Sequence, residues 1–301
     1  MDDFKDGLIA ATFTPFNKSL ELDTSKIGDL VDKLLKCGVE GFFVAGTTGE
    51  GLSLSVEERM KLLESFAKNV SGRAKVIVHI GALSVQDAKR LAKHASEVGV
   101  DGISLLLPFY YKNVGMEQHL EFLSEVAESA QNLPLYLYHI PSLTGININL
   151  DMFLSQVIAR INSFAGVKYS SADLMELMFL RQNYPGLRFY FGVDEMMLHA
   201  LPLKVDGFIG STYNFVPRLY LQIIDAFQRK DIDQAVKLQS LSLKMVQVLN
   251  SFGGLPAFKA VMKLMGFDLG PCRPPLKSFD EARLPDLERS LRAIGVLDFL
   301  G

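Results

Sequence analysis

Eight short apolar runs recur along the chain, at 8–14, 41–45, 75–80, 102–107, 135–140, 164–168, 188–192 and 207–210. Nearly every residue in them is apolar, rather than every second one, which is the pattern of parallel strands buried on both faces beneath helices. The stretches between them place apolar residues at helical spacing behind helix-start signals. Ile27, Leu30, Val31, Leu34 and Leu35 stripe the first, and Gly38 is placed to end it. Ser55-Val56-Glu57-Glu58 has the form of a capping box ahead of Met60, Leu63, Phe66 and Ala67. Ser84-Val85-Gln86-Asp87 precedes Ala88, Leu91, Ala92 and Ala95 in the same way.

A short repeat joins helix to strand at three places: Gly38-Val39-Glu40-Gly41, Gly99-Val100-Asp101-Gly102 and Lys204-Val205-Asp206-Gly207. A βα unit repeated eight times is expected to close into an α/β (β/α)8 TIM barrel rather than spread into an open sheet. No G-x-G-x-x-G follows a strand, which weighs against a dinucleotide fold. From Asp231 the strands stop, and 235–248, 257–265 and 279–293 read as helices around the proline-rich 271–275. The expected organisation is a barrel over 1–230 with a C-terminal helical extension over 231–301, packed on it without a linker as one structural domain.

Composition narrows the class of partner. An apolar share of 49% against 22% charged suits a globular protein with a large core. Thirty-one basic and thirty-four acidic side chains give a net charge of -3, without the basic excess of a nucleic-acid binder. No apolar run approaches the roughly 18 residues of a membrane span. Cys37 and Cys272 form neither a disulfide framework nor a metal-spaced pair, which suits a reducing compartment. The acidic opening Met1-Asp2-Asp3-Phe4-Lys5-Asp6 lacks the basic and apolar segments of a signal peptide, so the expected location is cytoplasmic.

Chemistry in a barrel of this kind gathers at the C-terminal strand ends. After the second run, Gly46-Thr47-Thr48-Gly49-Glu50-Gly51 lets backbone amides and two hydroxyls converge on a small anion, or serves as a plain polar turn; it lacks the ending of a P-loop. At the fifth, alternation sends Tyr136 and Tyr138 to one face and His139 to the other. A phenol in the barrel mouth can shuttle a proton, though buried tyrosines also serve as core residues. Histidines 79, 94, 119 and 199 show no metal-binding spacing.

The sixth run gives the sharpest signal, Phe164-Ala165-Gly166-Val167-Lys168-Tyr169-Ser170. A lysine ending an apolar parallel strand points its amine into a partly desolvated cavity, where burial lowers its pKa and makes it a Schiff-base nucleophile. The competing reading is a lysine snorkelling to the rim. The seventh and eighth runs lead into Gly192-Val193-Asp194-Glu195 and Gly210-Ser211-Thr212-Tyr213-Asn214, where polar groups could read a hydroxyl-rich ligand. Asp194 and Glu195 could equally cap the next helix.

Gly46-Thr47-Thr48-Gly49-Glu50, Tyr138-His139-Ile140-Pro141-Ser142-Leu143-Thr144-Gly145 and Gly166-Val167-Lys168-Tyr169 occur in this order at successive strand ends. With them the chain resembles the dihydrodipicolinate synthase and N-acetylneuraminate lyase family of class I, Schiff-base aldolases, from about Leu8 to Pro275, and within it the sialate-cleaving members of animal type. The resemblance implies reversible aldol cleavage of N-acetylneuraminate to pyruvate and N-acetylmannosamine. It makes Lys168 the imine-forming nucleophile and Tyr138 the proton shuttle, assisted by the substrate carboxylate or Thr47. Thr47 and Thr48 would hold the pyruvyl carboxylate, and Ser170, Gly192, Asp194, Glu195 and Ser211 would read the sugar hydroxyls. It further implies no metal or organic cofactor and a homotetramer.

One departure and three rivals bear on the reading. Tyr110 sits where many relatives place a tyrosine reaching into a neighbouring subunit's site, but sialate-cleaving members do not all keep it, so it stays outside the catalytic set. A dihydrodipicolinate synthase typically has arginine where this chain has Leu143, a cation for its second substrate's carboxylate. A keto-deoxy sugar acid aldolase and a non-catalytic sugar-acid-binding barrel are the remaining alternatives.

Overall fold

The computed structural model describes residues 6–301; the opening at 1–5, read above as lacking an export signal, lies outside the described residues. Eight strands form a closed barrel in chain order: β1 (Leu8–Ala11), β2 (Gly41–Val44), β3 (Lys75–His79), β4 (Gly102–Leu105), β5 (Leu135–His139), β6 (Phe164–Tyr169), β7 (Arg188–Phe191) and β8 (Gly207–Gly210). Every neighbouring pair is parallel, and β8 closes on β1 through Leu8↔Phe208 and Ala10↔Gly210. The (β/α)8 expectation holds. Several apolar runs overshoot their strands, because residues past the sheet edge stay buried under loops, as Phe13, Ile80 and Leu107 do.

Alternation divides each strand between two cores. Outward residues such as Leu8, Phe42, Val78, Ile103, Leu137, Val167, Phe189 and Phe208 join the helices in one large cluster. Ile9, Ala11, Phe43, Ile77, Tyr136, Tyr138, Tyr190 and Ile209 fill the barrel in a second. The helix signals take their expected places. Ser55 and Glu58 make a reciprocal capping box at the start of the helix Val56–Val70, and the Ser84 side chain accepts from the Asp87 amide. In the three-fold repeat Gly38, Gly99 and Lys204 all adopt positive φ, 88°, 76° and 53°. That turn drops the chain from helix to strand.

The barrel floor is closed by charge. Asp6, inside the N-terminal end, has an almost fully buried carboxylate that pairs with Lys75 and Arg188 and accepts a 2.6 Å hydrogen bond from Tyr190. The Tyr190 ring meets Tyr136 edge to face at 5.4 Å.

One irregularity sets the site. Phe164 and Lys168 have the same parity, so strict alternation would send both outward. The register against β5 instead shifts after Leu135↔Phe164, so that Tyr136 faces Gly166 and Tyr138 faces Lys168. Gly166 carries the bulge at φ 155°, where an added Cβ would lie 1.9 Å from the Arg188 carbonyl oxygen. Only glycine fits there. The shift turns Lys168 into the barrel while Phe164 stays among the helices.

Past residue 231 come the helices Ile232–Ser251, Leu255–Leu264 and Leu284–Ala293. The first two begin a few residues before their expected starts, while the last begins at Leu284 because Glu281–Arg283 is a separate turn of 3-10 helix. Met245, Leu249, Ala257, Val261, Leu287 and Leu291 join the same outer cluster as the barrel strands. No helix of the described residues is long and apolar enough to cross a membrane.

Candidate active site

The Lys168 side chain ends at the foot of a cavity of about 380 Å³ that opens at the C-terminal mouth of the barrel. Its Nζ lies 3.9 Å from the Phe43 ring centroid and 4.0 Å from that of Tyr138. Only 4% of the residue is exposed. Desolvation pulls its pKa below the usual lysine value, against weaker opposing effects of Tyr138 and Asp194. The rim alternative therefore fails on geometry: this amine is enclosed by rings and faces inward.

Tyr138 is oriented from three sides. Its hydroxyl lies 3.2 Å from Thr47 Oγ1, and its ring meets Phe43 and His79 edge to face, each at 5.7 Å. Burial, followed by the nearby Arg59 cation, holds the His79 pKa well below its usual value. His79 Nδ1 lies 3.2 Å from the Ala45 carbonyl oxygen, and the buried Arg59 donates to the carbonyls of His79 and Gly81. His139 points outside the barrel, as alternation requires, and stacks on Tyr169 at 5.3 Å.

The loop after β2 wraps tightly around the strand end. Ala45 and Glu50 both take left-handed backbone, and an added Cβ at Gly51 would come within 1.8 Å of the Ala45 carbonyl oxygen. This brings Thr47 and Thr48 to the cavity wall, where Thr48 Oγ1 lies 2.6 Å from Ser211 Oγ.

Asp194 does not spend its carboxylate on the turn that it begins. Its Oδ2 accepts from the Thr212 amide at 2.9 Å and the Thr212 hydroxyl at 2.6 Å, across the mouth on the loop after β8. Desolvation raises its pKa, and the two Thr212 bonds oppose that. Burial likewise raises Glu195. Gly192 and Gly210 make room for these groups: added Cβ atoms would stand 2.1 Å from Ser170 Oγ and 1.8 Å from Asp194 Oδ1. Ser170 Oγ is buried with no hydrogen-bond partner among the described residues.

The structure thus brings Lys168, Tyr138, Thr47, Thr48, Ser170, Gly192, Asp194, Glu195 and Ser211 together on one cavity. Sequence reasoning missed the wall supplied by the extension, where Val246, Asn250, Leu255 and Phe258 reach over the mouth. It also missed Phe43 as the second ring against Lys168. Leu143 lies on the rim, 63% exposed, and offers no cation to the cavity. Tyr110 is 68% exposed and packs edge to face on Tyr111 at 5.2 Å. Among the described residues no group of three or more His, Cys, Asp or Glu is placed to hold a metal ion.

Comparison with known proteins agrees with this geometry. Residues 4–294 match the family model described as the dihydrodipicolinate synthetase family. The chain is 40% identical to human N-acetylneuraminate lyase over 299 residues, covering 97% of this chain and 93% of that one. It is 38% identical to the rat N-acetylneuraminate lyase, over 98% of this chain and 94% of that protein. Among solved structures, N-acetylneuraminate lyase of Proteus mirabilis superposes with a TM-score of 0.93 at 33% identity, covering 97% and 99% of the two chains.

Proposed function

Because this chain belongs to the dihydrodipicolinate synthetase family, we propose that it catalyses the reversible aldol cleavage of N-acetylneuraminate to pyruvate and N-acetylmannosamine through an imine on Lys168. The observation that carries this reading is the desolvated Lys168 amine, set between two aromatic rings beneath a loop of paired threonines and a polar mouth. A depressed lysine pKa keeps more of the amine neutral, and only the neutral amine attacks a carbonyl.

In cleavage, Nζ adds to the C2 ketone of the open-chain sugar, and with one proton taken up from solvent, and returned on hydrolysis, the carbinol hydroxyl leaves as water, giving a protonated imine. Tyr138 takes the proton of the C4 hydroxyl, its own being passed toward the substrate carboxylate or Thr47. The C3–C4 bond then breaks; its electron pair moves into a C2–C3 enamine as the imine nitrogen becomes neutral, and C4 becomes the aldehyde carbon of N-acetylmannosamine. Protonation at C3 and attack of water on the imine carbon release pyruvate and restore the amine. Thr47 and Thr48, with their backbone amides, hold the keto-acid carboxylate, and the unpartnered Ser170 hydroxyl, Gly192, Asp194, Glu195 and Ser211 read the sugar. The imine supplies the electron sink, so the reading calls for no cofactor.

The first test compares pyruvate release from N-acetylneuraminate with turnover of aspartate semialdehyde plus pyruvate. Leu143 favours the first, and activity with only the second pair would move the chain to the synthase reading. Borohydride with pyruvate is expected to add one reduced pyruvyl group to Lys168; an unchanged mass would favour a non-catalytic binder. The initial rate of that trapping should climb with pH along a limb centred below the usual lysine pKa of about 10.4, as the deprotonated amine accumulates. A limb at or above that value would remove the desolvation argument.

Gly210→Ala gives a separate handle on the sugar side. Its methyl would collide with Asp194 Oδ1 and push the carboxylate off Thr212. Losing a charge-assisted contact to the sugar should raise the KM for N-acetylmannosamine in synthesis by about tenfold or more, while pyruvate trapping stays near wild type. Equal effects on both substrates would take Asp194 out of the sugar site.

Two sets of exposed apolar side chains support the homotetramer as part of this proposal. Met175, Met178 and Phe179 share one face of the helix Leu174–Asn183, and Leu52, Leu83, Tyr110 and Tyr111 are exposed elsewhere. A dimer of dimers uses two distinct interfaces, and these exposed side chains lie on separate elements that can supply them. The buried, unpaired thiols of Cys37 and Cys272 suit the cytoplasm.

A further inference from the structure

A second charged site, the buried pair Lys259–Glu50, lies outside the lining of the cavity. Lys259, on the helix Leu255–Leu264 of the extension, is 4% exposed. Its ammonium donates to the Thr14 carbonyl at 2.8 Å, to the Pro271 carbonyl at 2.9 Å and to Glu50 Oε1 at 3.3 Å. The same nitrogen sits 4.5 Å from the Phe16 ring centroid. All three of its N–H donors are therefore committed.

Two of these contacts, to Glu50 and to Thr14, lead back to the loop that carries Thr47 and Thr48. Glu50 closes that loop: its amide donates to the Thr47 carbonyl at 3.0 Å, its φ is 53°, and its second carboxylate oxygen accepts from the Arg273 amide at 2.7 Å. Thr14, whose carbonyl Lys259 holds, donates its hydroxyl to the Gly49 carbonyl. Buried ion pairs are a weak source of stability, and apolar replacements of similar volume are often no worse. Their better-attested use is to select one arrangement among several.

We infer that Lys259 is a positioning residue for keto-acid capture: through Glu50 and Thr14 it holds the Thr47–Thr48 loop in the shape whose hydroxyls and amides converge on a carboxylate. The extension then does more than roof the cavity. It sets the geometry of the anion site through one cation that does not touch substrate. This rests on the keto-acid reading of the loop given above.

The test uses full-length Lys259→Met, of similar volume without the charge, with Glu50→Gln as a milder second variant. Leu291→Ala, a core cavity in the same extension, serves as the destabilised control. The reading is the pyruvate concentration giving half-maximal borohydride trapping on Lys168. It should rise about tenfold or more in Lys259→Met, since ångström-scale misplacement of a binding group carries penalties of that order. In Glu50→Gln it should rise about threefold, as a neutral acceptor bonds less strongly than a charged one. Leu291→Ala should match wild type. In synthesis the KM for pyruvate should rise with it, while that for N-acetylmannosamine stays within about twofold.

A folded Lys259→Met that traps pyruvate at the wild-type concentration overturns the inference, as does a Leu291→Ala that weakens capture equally. If Lys259→Met does not fold, an unchanged Glu50→Gln overturns it. Wild-type protein that forms no adduct fells the imine reading and this inference with it, an outcome distinct from a shift confined to the variants.

Discussion

Lys168→Met is expected to lower kcat/KM for N-acetylneuraminate by about 10⁴-fold or more, because loss of the nucleophile removes the covalent route altogether. The fold should survive. Methionine has similar length, and it relieves a buried amine of its desolvation between Phe43 and Tyr138. Thermal unfolding should therefore be as cooperative as in wild type, with a Tm no lower, and borohydride should leave no pyruvyl adduct. A folded variant that kept a few per cent of the activity would end the imine mechanism, whatever the family resemblance.

Tyr138→Phe is expected to cost between about 10²- and 10⁴-fold in kcat, the range over which positioned proton transfer acts. The substitution deletes one oxygen. It removes the 3.2 Å contact with Thr47 Oγ1 and leaves the ring in place against Phe43, His79 and Lys168. The ring stays against the amine, and the lost hydroxyl only opposed the lowering of its pKa; pyruvate should therefore still be trapped on Lys168, and the loss should concentrate in the step that breaks the C3–C4 bond. A kcat within about threefold of wild type would assign the proton transfer to another group.

Much of the barrel is legible in the chain because its strands are apolar on both faces and its helices start with local signals. Such a signal holds wherever the partners are near in sequence, as the Ser55–Glu58 box does. The strand ends read less well, since Phe13 and Leu107 are as apolar as the ladder beside them. Lys168 stands out in the sequence, yet the face it takes does not follow from alternation, which would pair it with Phe164 outside the barrel. A bulge at a single glycine reverses that, and the glycine in 164–168 was the trace available to a reader. For Asp194, capping the next helix and reading a ligand's hydroxyls are equally consistent with its position in the sequence; its carboxylate bonds Thr212 on the loop after β8, a partner that no local pattern announces.

The extension's share of the cavity was not legible. A helical stripe tells which residues are buried, not what they are buried against. Val246 and Phe258 look like any apolar positions of their helices until the topology lays those helices over the mouth. Lys259 is a partial exception: a lysine set among Ala257, Ala260 and Val261 on a buried face needs a partner. Its partner Glu50 lies 209 residues earlier, out of reach of any local pattern.

The sealed floor has a kinetic consequence. Among the described residues, Asp6, Lys75, Arg188 and Tyr190 plug one end of the barrel, which leaves the C-terminal mouth as the way to Lys168. On the imine reading, a three-carbon acid bonded to that lysine would lie deeper in the well than the eight-carbon amino sugar cut from it. The sugar would then have to depart before the acid, and in synthesis arrive after it: an obligatory queue imposed by a blind-ended shaft.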